Sequence, residues 1–114
     1  MIDTYEVGRW IRIEGRTYHS DVKIVDDEVR ANWWRKAGHR LDQSDISDIL
    51  EKQPDVLVVG TGYAGMMQVP EDTRQALESR GILLKAEKTG SAVWVFNRLQ
   101  KEGRKVAGAF HLTC

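Results

Sequence analysis

Three places in this 114-residue chain hold residue types whose spacing could do chemistry. The first is Gly60-Thr61-Gly62-Tyr63-Ala64-Gly65, which spells G-x-G-x-x-G behind the apolar run Val56-Leu57-Val58-Val59. In a dinucleotide fold such glycines let the backbone close on a pyrophosphate, and Glu87 stands roughly where the ribose-binding acid would be. That mechanism needs a helix beginning inside the glycine run, so that its free amides meet the phosphates. Here Met66-Met67-Gln68-Val69 intervene and the helix signal starts only at Pro70. Two simpler roles remain. Gly60 and Gly62 can supply backbone angles closed to other residues. Alternatively, the amides of Thr61, Gly62 and Tyr63 can cradle a small anion, at the strand end where open α/β sheets place ligands.

The second place is His111-Leu112-Thr113-Cys114. A thiolate beside an imidazole is a nucleophile pattern, but a nucleophile must be held rigidly and a final residue tends to fray. His111 shares a strand face with the small residues Ala107 and Ala109, so a packed or interface histidine is expected, with no catalytic residue assigned. Metal binding needs three or four converging ligands. His19, His39, His111 and the single cysteine are scattered along the chain, so neither a metal nor another cofactor is expected. The third place, Arg30, Trp33, Trp34, Arg35, Lys36, His39 and Arg40, mixes aromatic and basic residues in a way that can stack bases. Asp42, Asp45 and Asp48 follow closely, and the favoured reading is a strand end and loop with its own counter-charges.

The elements that must position these residues follow from periodicity. Tyr5, Val7, Ile11 and Ile13 alternate with polar residues, then Tyr18, Val22 and Ile24, then Val29, Ala31 and Trp33. Turn signals at Glu14-Gly15-Arg16 and Asp26-Asp27 make this a three-stranded antiparallel meander over 5–34. Asp42 is a helix N-cap, Leu41 and Ile46 fit a hydrophobic staple, and Pro54 ends the helix. Residues 56–59 read as a strand buried on both faces. Pro70 opens a second helix, with Gly81 closing it. Residues 82–86 form another strand, Thr89 caps a third helix to about Glu102, and 106–112 form a last, central strand. The order βββ-α-β-α-β-α-β predicts one α/β layered domain, 1–114, with a mixed sheet between helices.

On the third helix, Ala92, Phe96 and Leu99 share a face and Val95 lies close by, whereas Trp94 points away, near Arg98 and Lys101. Trp94 with Arg98 is therefore a candidate interface, since both types are enriched at binding hot spots; a cation–π pair one turn apart is the alternative.

Composition narrows the classes. Lys plus Arg and Asp plus Glu both number 17, giving zero formal charge. Nucleic-acid binding, which depends on phosphate contacts, is not expected; self-association is. A single cysteine favours a reducing compartment. With no leader pattern and no apolar run near membrane-spanning length, a cytoplasmic protein with no membrane contact is expected.

The ordered set Gly60-x-Gly62, Val69-Pro70, Gly81-Ile82, Ala92-Val93, Asn97, Gly103 and His111-x-Thr113-Cys114 resembles the Mth938-like (DUF498) domain family. The resemblance implies a three-layer α/β fold around a five-stranded mixed sheet whose last strand is antiparallel to the others. Family members include a mitochondrial assembly factor for respiratory complex I and a protein linked to adipocyte differentiation, without an established active site. The family pattern keeps Gly60 and Gly62 but does not require Gly65. Two functions are thus expected in order: a non-enzymatic protein-binding or assembly module, then a small-ligand (anion or nucleotide) site or enzyme using Gly60–Tyr63 with Asn97, His111 and Cys114.

Overall fold

Alternation of apolar and polar residues does set the first thirty positions, but into five short strands rather than three. The computed structural model describes residues 1–114. β1 (Ile2–Glu6), β2 (Trp10–Ile13) and β3 (Arg16–Tyr18) pair antiparallel as a small sheet of their own. β4 (Val22–Val25) and β5 (Glu28–Arg30) form a second hairpin that joins the main sheet. Both turns are tight, with positive φ at Glu14 and Gly15 and again at Asp26 and Asp27. That left-handed pair matches the right-handed twist of the strands it joins. Asn32 also turns left-handed, at φ 54°. It ends the strand, so Trp33 leaves the expected face and its amide donates to the Asp21 carbonyl at 2.9 Å.

A single 3-10 turn, Gln43–Ile46, leads into α1 (Ser47–Lys52). β6 (Val56–Thr61), α2 (Glu71–Ser79), β7 (Leu83–Glu87), α3 (Thr89–Lys101) and β8 (Val106–His111) complete the chain. Sheet order is β5-β4-β8-β6-β7. β8 is central, as its apolar pattern on both faces requires. It runs parallel to β6 and antiparallel to β4, and β7 is parallel to β6. The expectation that the last strand opposes the others is therefore corrected: the reversed strand is β4, because a two-residue turn reverses the chain whereas each β-α-β crossover returns it in the same direction.

Asp42 is the N-cap of the Gln43–Ile46 turn, where Asp45 closes a capping box by accepting from the Asp42 amide at 2.8 Å, and the Asp42 carboxylate also pairs with Arg40. Thr89 is the first residue of α3 rather than its cap, and its hydroxyl is used elsewhere.

Three layers result. Ile46 of the 3-10 turn, with Ile49, Leu50 and Leu77 of α1 and α2, packs on one sheet face with Leu57, Val59, Ala107 and Ala109. Ala92, Phe96 and Leu99 of α3, joined by Ile2, Ile11 and Ile13 of the meander, cover the other with Val56, Val58 and Phe110. Phe96 meets Phe110 edge-on with ring centres 5.7 Å apart, an arrangement worth about 1 kcal/mol beyond its burial.

Beside α1, Lys23 and Arg30 both hold the Asp48 carboxylate, at 2.9 and 2.7 Å. Burial pushes that carboxyl upward, but the Lys23 hydrogen bond and the two cations outweigh it and leave Asp48 below its ordinary 3.8. A lowered folded-state value means the stabilisation is complete above 3.8 and is lost as pH falls through the folded value. Urea titrations below pH 4 are expected to show a steeper loss of stability in the parent than in Asp48→Asn. Parallel pH profiles would contradict this.

Candidate functional site

The glycine loop is the end of β6, and its fate is set by what lies against it. The Gly62 amide donates to the Thr89 hydroxyl at 2.8 Å, and the Tyr63 amide donates to the Thr113 carbonyl at 2.9 Å. Thr61 is paired with His111 in the β6–β8 ladder, and its hydroxyl donates to the Glu87 carbonyl. Two of the three amides proposed as an anion cradle, those of Gly62 and Tyr63, are thus satisfied by the chain itself, and that reading of Gly60–Tyr63 is corrected. Nor does a helix rise from the loop, since α2 begins at Glu71, beyond Gly65. Gly62 sits at φ 102°, and a Cβ there would overlap the carbonyls of Thr113 and Cys114. Its role is to let the final segment cross β6.

That segment is held, not frayed. The Cys114 carbonyl accepts from the Met66 amide at 3.0 Å. The Tyr5 hydroxyl donates to the Leu112 carbonyl at 2.6 Å, with burial raising its pKa.

The tail, the end of β8 and the loop between β5 and α1 meet around His111, which is 6% exposed. Antiparallel register pairs Val22 with Phe110, which brings Asp21, one residue before β4, beside His111. Nδ1 of His111 lies 2.7 Å from Asp21 Oδ2. The other carboxylate oxygen accepts from the Leu112 amide, and Oδ2 also accepts from Arg35 at 2.7 Å. Burial raises the Asp21 carboxyl; the His111, Leu112 and Arg35 hydrogen bonds together reverse this and hold it below the usual range, so it is ionised. Nδ1 of His111 also lies 3.0 Å from Arg35 Nη2, and the shorter 2.7 Å approach to the ionised Asp21 places the Nδ1 proton toward Oδ2. Arg35, 4% exposed, completes its own bonding with two donations to the Gly38 carbonyl and lies over the Trp33 ring at 4.8 Å.

One polar atom here is left over. His111 Nε2 is the only buried side-chain nitrogen or oxygen in the chain without a hydrogen-bond partner. Buried polar groups are nearly always satisfied, and an exception points to a function or a missing ligand. His39 and Cys114 lie beside it. The three residues each bring a ligand atom within 4.8 Å of the others, and His39 Nε2 is 3.5 Å from Cys114 Sγ. The expectation that the histidines and the cysteine stay scattered is overturned by folding. An open groove of about 340 Å³ runs alongside, lined by His19, Ser20, Trp34, Thr113 and the Asp21–Arg35–His111 group.

The remaining candidates lie elsewhere. Asn97 is not part of this centre: its carboxamide donates to the Ile2 carbonyl and accepts from the Ile2 amide, both at 2.8 Å, clamping β1 to α3. Trp94 is 63% exposed with the Arg98 guanidinium 5.4 Å from its ring centre, so the interface and the cation–π readings describe one arrangement. Of the aromatic and basic stretch, Arg30, Arg35 and Arg40 each pair with a carboxylate. As a site residue Asp21 is not singled out by the sequence, and Arg35 stands there only within the aromatic and basic stretch. The available signal was weak: an acid directly before a buried strand, with a stretch of cations nearby.

The fold defines a class: three-layer α/β domains around a five-stranded mixed sheet. The chain belongs to the family described as a protein of unknown function (DUF498/DUF598), whose model matches residues 2–111. It is similar to a structure described as an outer membrane protein from Bartonella henselae, with TM-score 0.84 and 28% identity over 99% of this chain and 94% of that one. A protein named MT938 superposes with TM-score 0.82 at 24% identity, covering 100% and 98%. A Mth938-like domain from Bordetella pertussis gives 0.71 at 21% identity, covering 98% and 85%. No helix here is long and apolar enough to cross a membrane.

Proposed function

We propose that the chain is a binding module whose site is the His111 centre and its groove, not the glycine loop. The observation that carries this is the unpartnered Nε2 of His111, oriented by an ionised Asp21 on the opposite ring nitrogen. Such a nitrogen offers a lone pair to a small ligand with a hydrogen-bond donor or an electron-pair acceptor. Trp34, 86% exposed at the groove, adds a flat surface for a planar group. Of the two imidazoles and the thiol here only His111 is buried, and His39 is exposed, which favours binding over catalysis. The Cys114 thiol suits a reducing compartment such as the cytoplasm.

A small-molecule screen by thermal shift tests this. A ligand at 100 times its Kd adds about 2.7 kcal/mol, roughly 10 °C for a domain of this size. The hits should move the His111 imidazole resonances and weaken in Trp34→Ala. Hits that map to Gly60–Gly65 and leave His111 unmoved would refute it.

A second reading, a protein-docking surface, has its own support. β7 has one sheet neighbour, leaving an open edge, and Trp94, Arg98 and Lys85 line a groove beside it. Unpaired edges recruit further strands. Trp94→Ala is expected to change stability by under about 1 kcal/mol while lowering self-association or partner retention in light scattering and native co-purification. An unchanged oligomeric state and partner set would remove this reading.

A further inference from the structure

We propose that His39, His111 and Cys114 form a three-ligand site for a transition-metal ion of the Zn(II) class, leaving one coordination position open toward the groove. The proposal rests on the His111 centre being the functional site and names what its unpartnered nitrogen binds.

Three observations converge. The donor set is one thiolate and two imidazoles, which is chemistry for zinc rather than for hard cations that prefer oxygen. The ligand atoms lie within 4.8 Å of one another. In a tetrahedral site with bonds of about 2.05 Å to nitrogen and about 2.3 Å to sulfur, neighbouring ligand atoms sit roughly 3.4–3.6 Å apart. His39 Nε2 and Cys114 Sγ already meet that at 3.5 Å.

The third observation is the buried nitrogen. Nδ1 of His111 is committed to Asp21, so Nε2 is the atom available to a metal, and it is the one buried side-chain nitrogen or oxygen without a partner. A carboxylate behind a histidine is the usual support of a metal-binding imidazole: it fixes the tautomer and raises the ring's basicity. An ion at this point satisfies Nε2. His39 is exposed, so it can close the remaining distance, while its backbone is fixed by the Gln68 amide donating to its carbonyl at 2.8 Å. Binding exchanges the Cys114 thiol proton for the metal and releases that proton to solvent, so affinity rises with pH.

Co(II) serves as the spectroscopic probe, added to tag-free, chelator-treated, reduced protein at pH 7.5. One equivalent is expected to produce a thiolate-to-cobalt charge-transfer band and the intense visible bands of tetrahedral cobalt, and Zn(II) should displace it. His39→Ala, at an exposed position, should leave the metal-free melting temperature unchanged and weaken affinity at least tenfold. Cys114→Ser should abolish the charge-transfer band. Asp21→Asn should weaken binding 10–100-fold through His111, and the circular dichroism spectrum shows whether that variant is folded.

The proposal is overturned if cobalt gives no charge-transfer band at one equivalent. Cobalt affinity in His39→Ala equal to the parent's overturns it too. An organic hit that moves His111 while no metal binds would leave the ligand-site reading standing and remove only the metal. Tetrahedral cobalt that leaves the His111 resonances unmoved would remove both.

Discussion

Replacing Arg35 with methionine is expected to cost about 3–5 kcal/mol, because it strands an ionised Asp21 in a buried site with no cation beside it. For a domain whose total stability is of order 5–15 kcal/mol, that is a fall in Tm of roughly 15 °C. The guanidinium, 4% exposed, does three things at once. It neutralises Asp21, it holds the Gly38 carbonyl with two N–H groups, and it covers Trp33. Lysine cannot reproduce the fork, so Arg35→Lys should recover only a minor share of the loss. Adding Asp21→Asn to the methionine variant should recover part of it by removing the stranded charge, which a double-mutant cycle in urea would show. A loss under about 1 kcal/mol for Arg35→Met would mean the pair is already solvated, and the rigid placement argued for His111 would fall with it.

The second large effect is expected at Gly62. Alanine there meets both an unfavourable φ of 102° and the carbonyls of Thr113 and Cys114. Backbone strain of about 1–2 kcal/mol adds to overpacking of about 1–3 kcal/mol, so a loss of about 3 kcal/mol is expected on chemical denaturation. The tail should lift from β6, and the Cys114 thiol should react with disulfide reagents at least tenfold faster. Gly65→Ala is the control. Gly65 also has positive φ, at 72°, but a Cβ there makes only ordinary contacts. It should cost about 1 kcal/mol and leave the thiol rate unchanged. Equal effects at Gly62 and Gly65 would show that the loop needs glycine only for its angles.

Those two sites show where the sequence could and could not be followed. The G-x-G-x-x-G string was legible as unlike a dinucleotide loop, because the distance from Gly65 to Pro70 is a local fact. That Gly62 makes room for another stretch of chain was not, because the obstructing carbonyls belong to residues 51 and 52 positions away. Asn97 was grouped with the site on family pattern alone, and only the packing of β1 on α3 revealed its two bonds to Ile2. Trp94 was placed correctly by the helical wheel, since one helix face is a local property.

By itself the sequence determined the succession of elements from α1 onward, the central position of β8 and the tight turns at Gly15 and Asp26-Asp27. These depend on hydrophobic period and on residues that accept particular backbone angles, and both act over a few positions. It did not determine which strands neighbour which, so the split of the N-terminal strands into two sheets and the open edge at β7 emerged only on folding. The His111 centre belongs wholly to the tertiary structure. Asp21 reaches it through the Val22–Phe110 register, His39 through a loop pinned by Asp21, Asp45 and Gln68, and Cys114 through the passage Gly62 leaves open. The Asp21–His111 and His39–Cys114 contacts span 90 and 75 residues. Scattered histidines and a lone cysteine become a site only when long-range strand pairing fixes their distances.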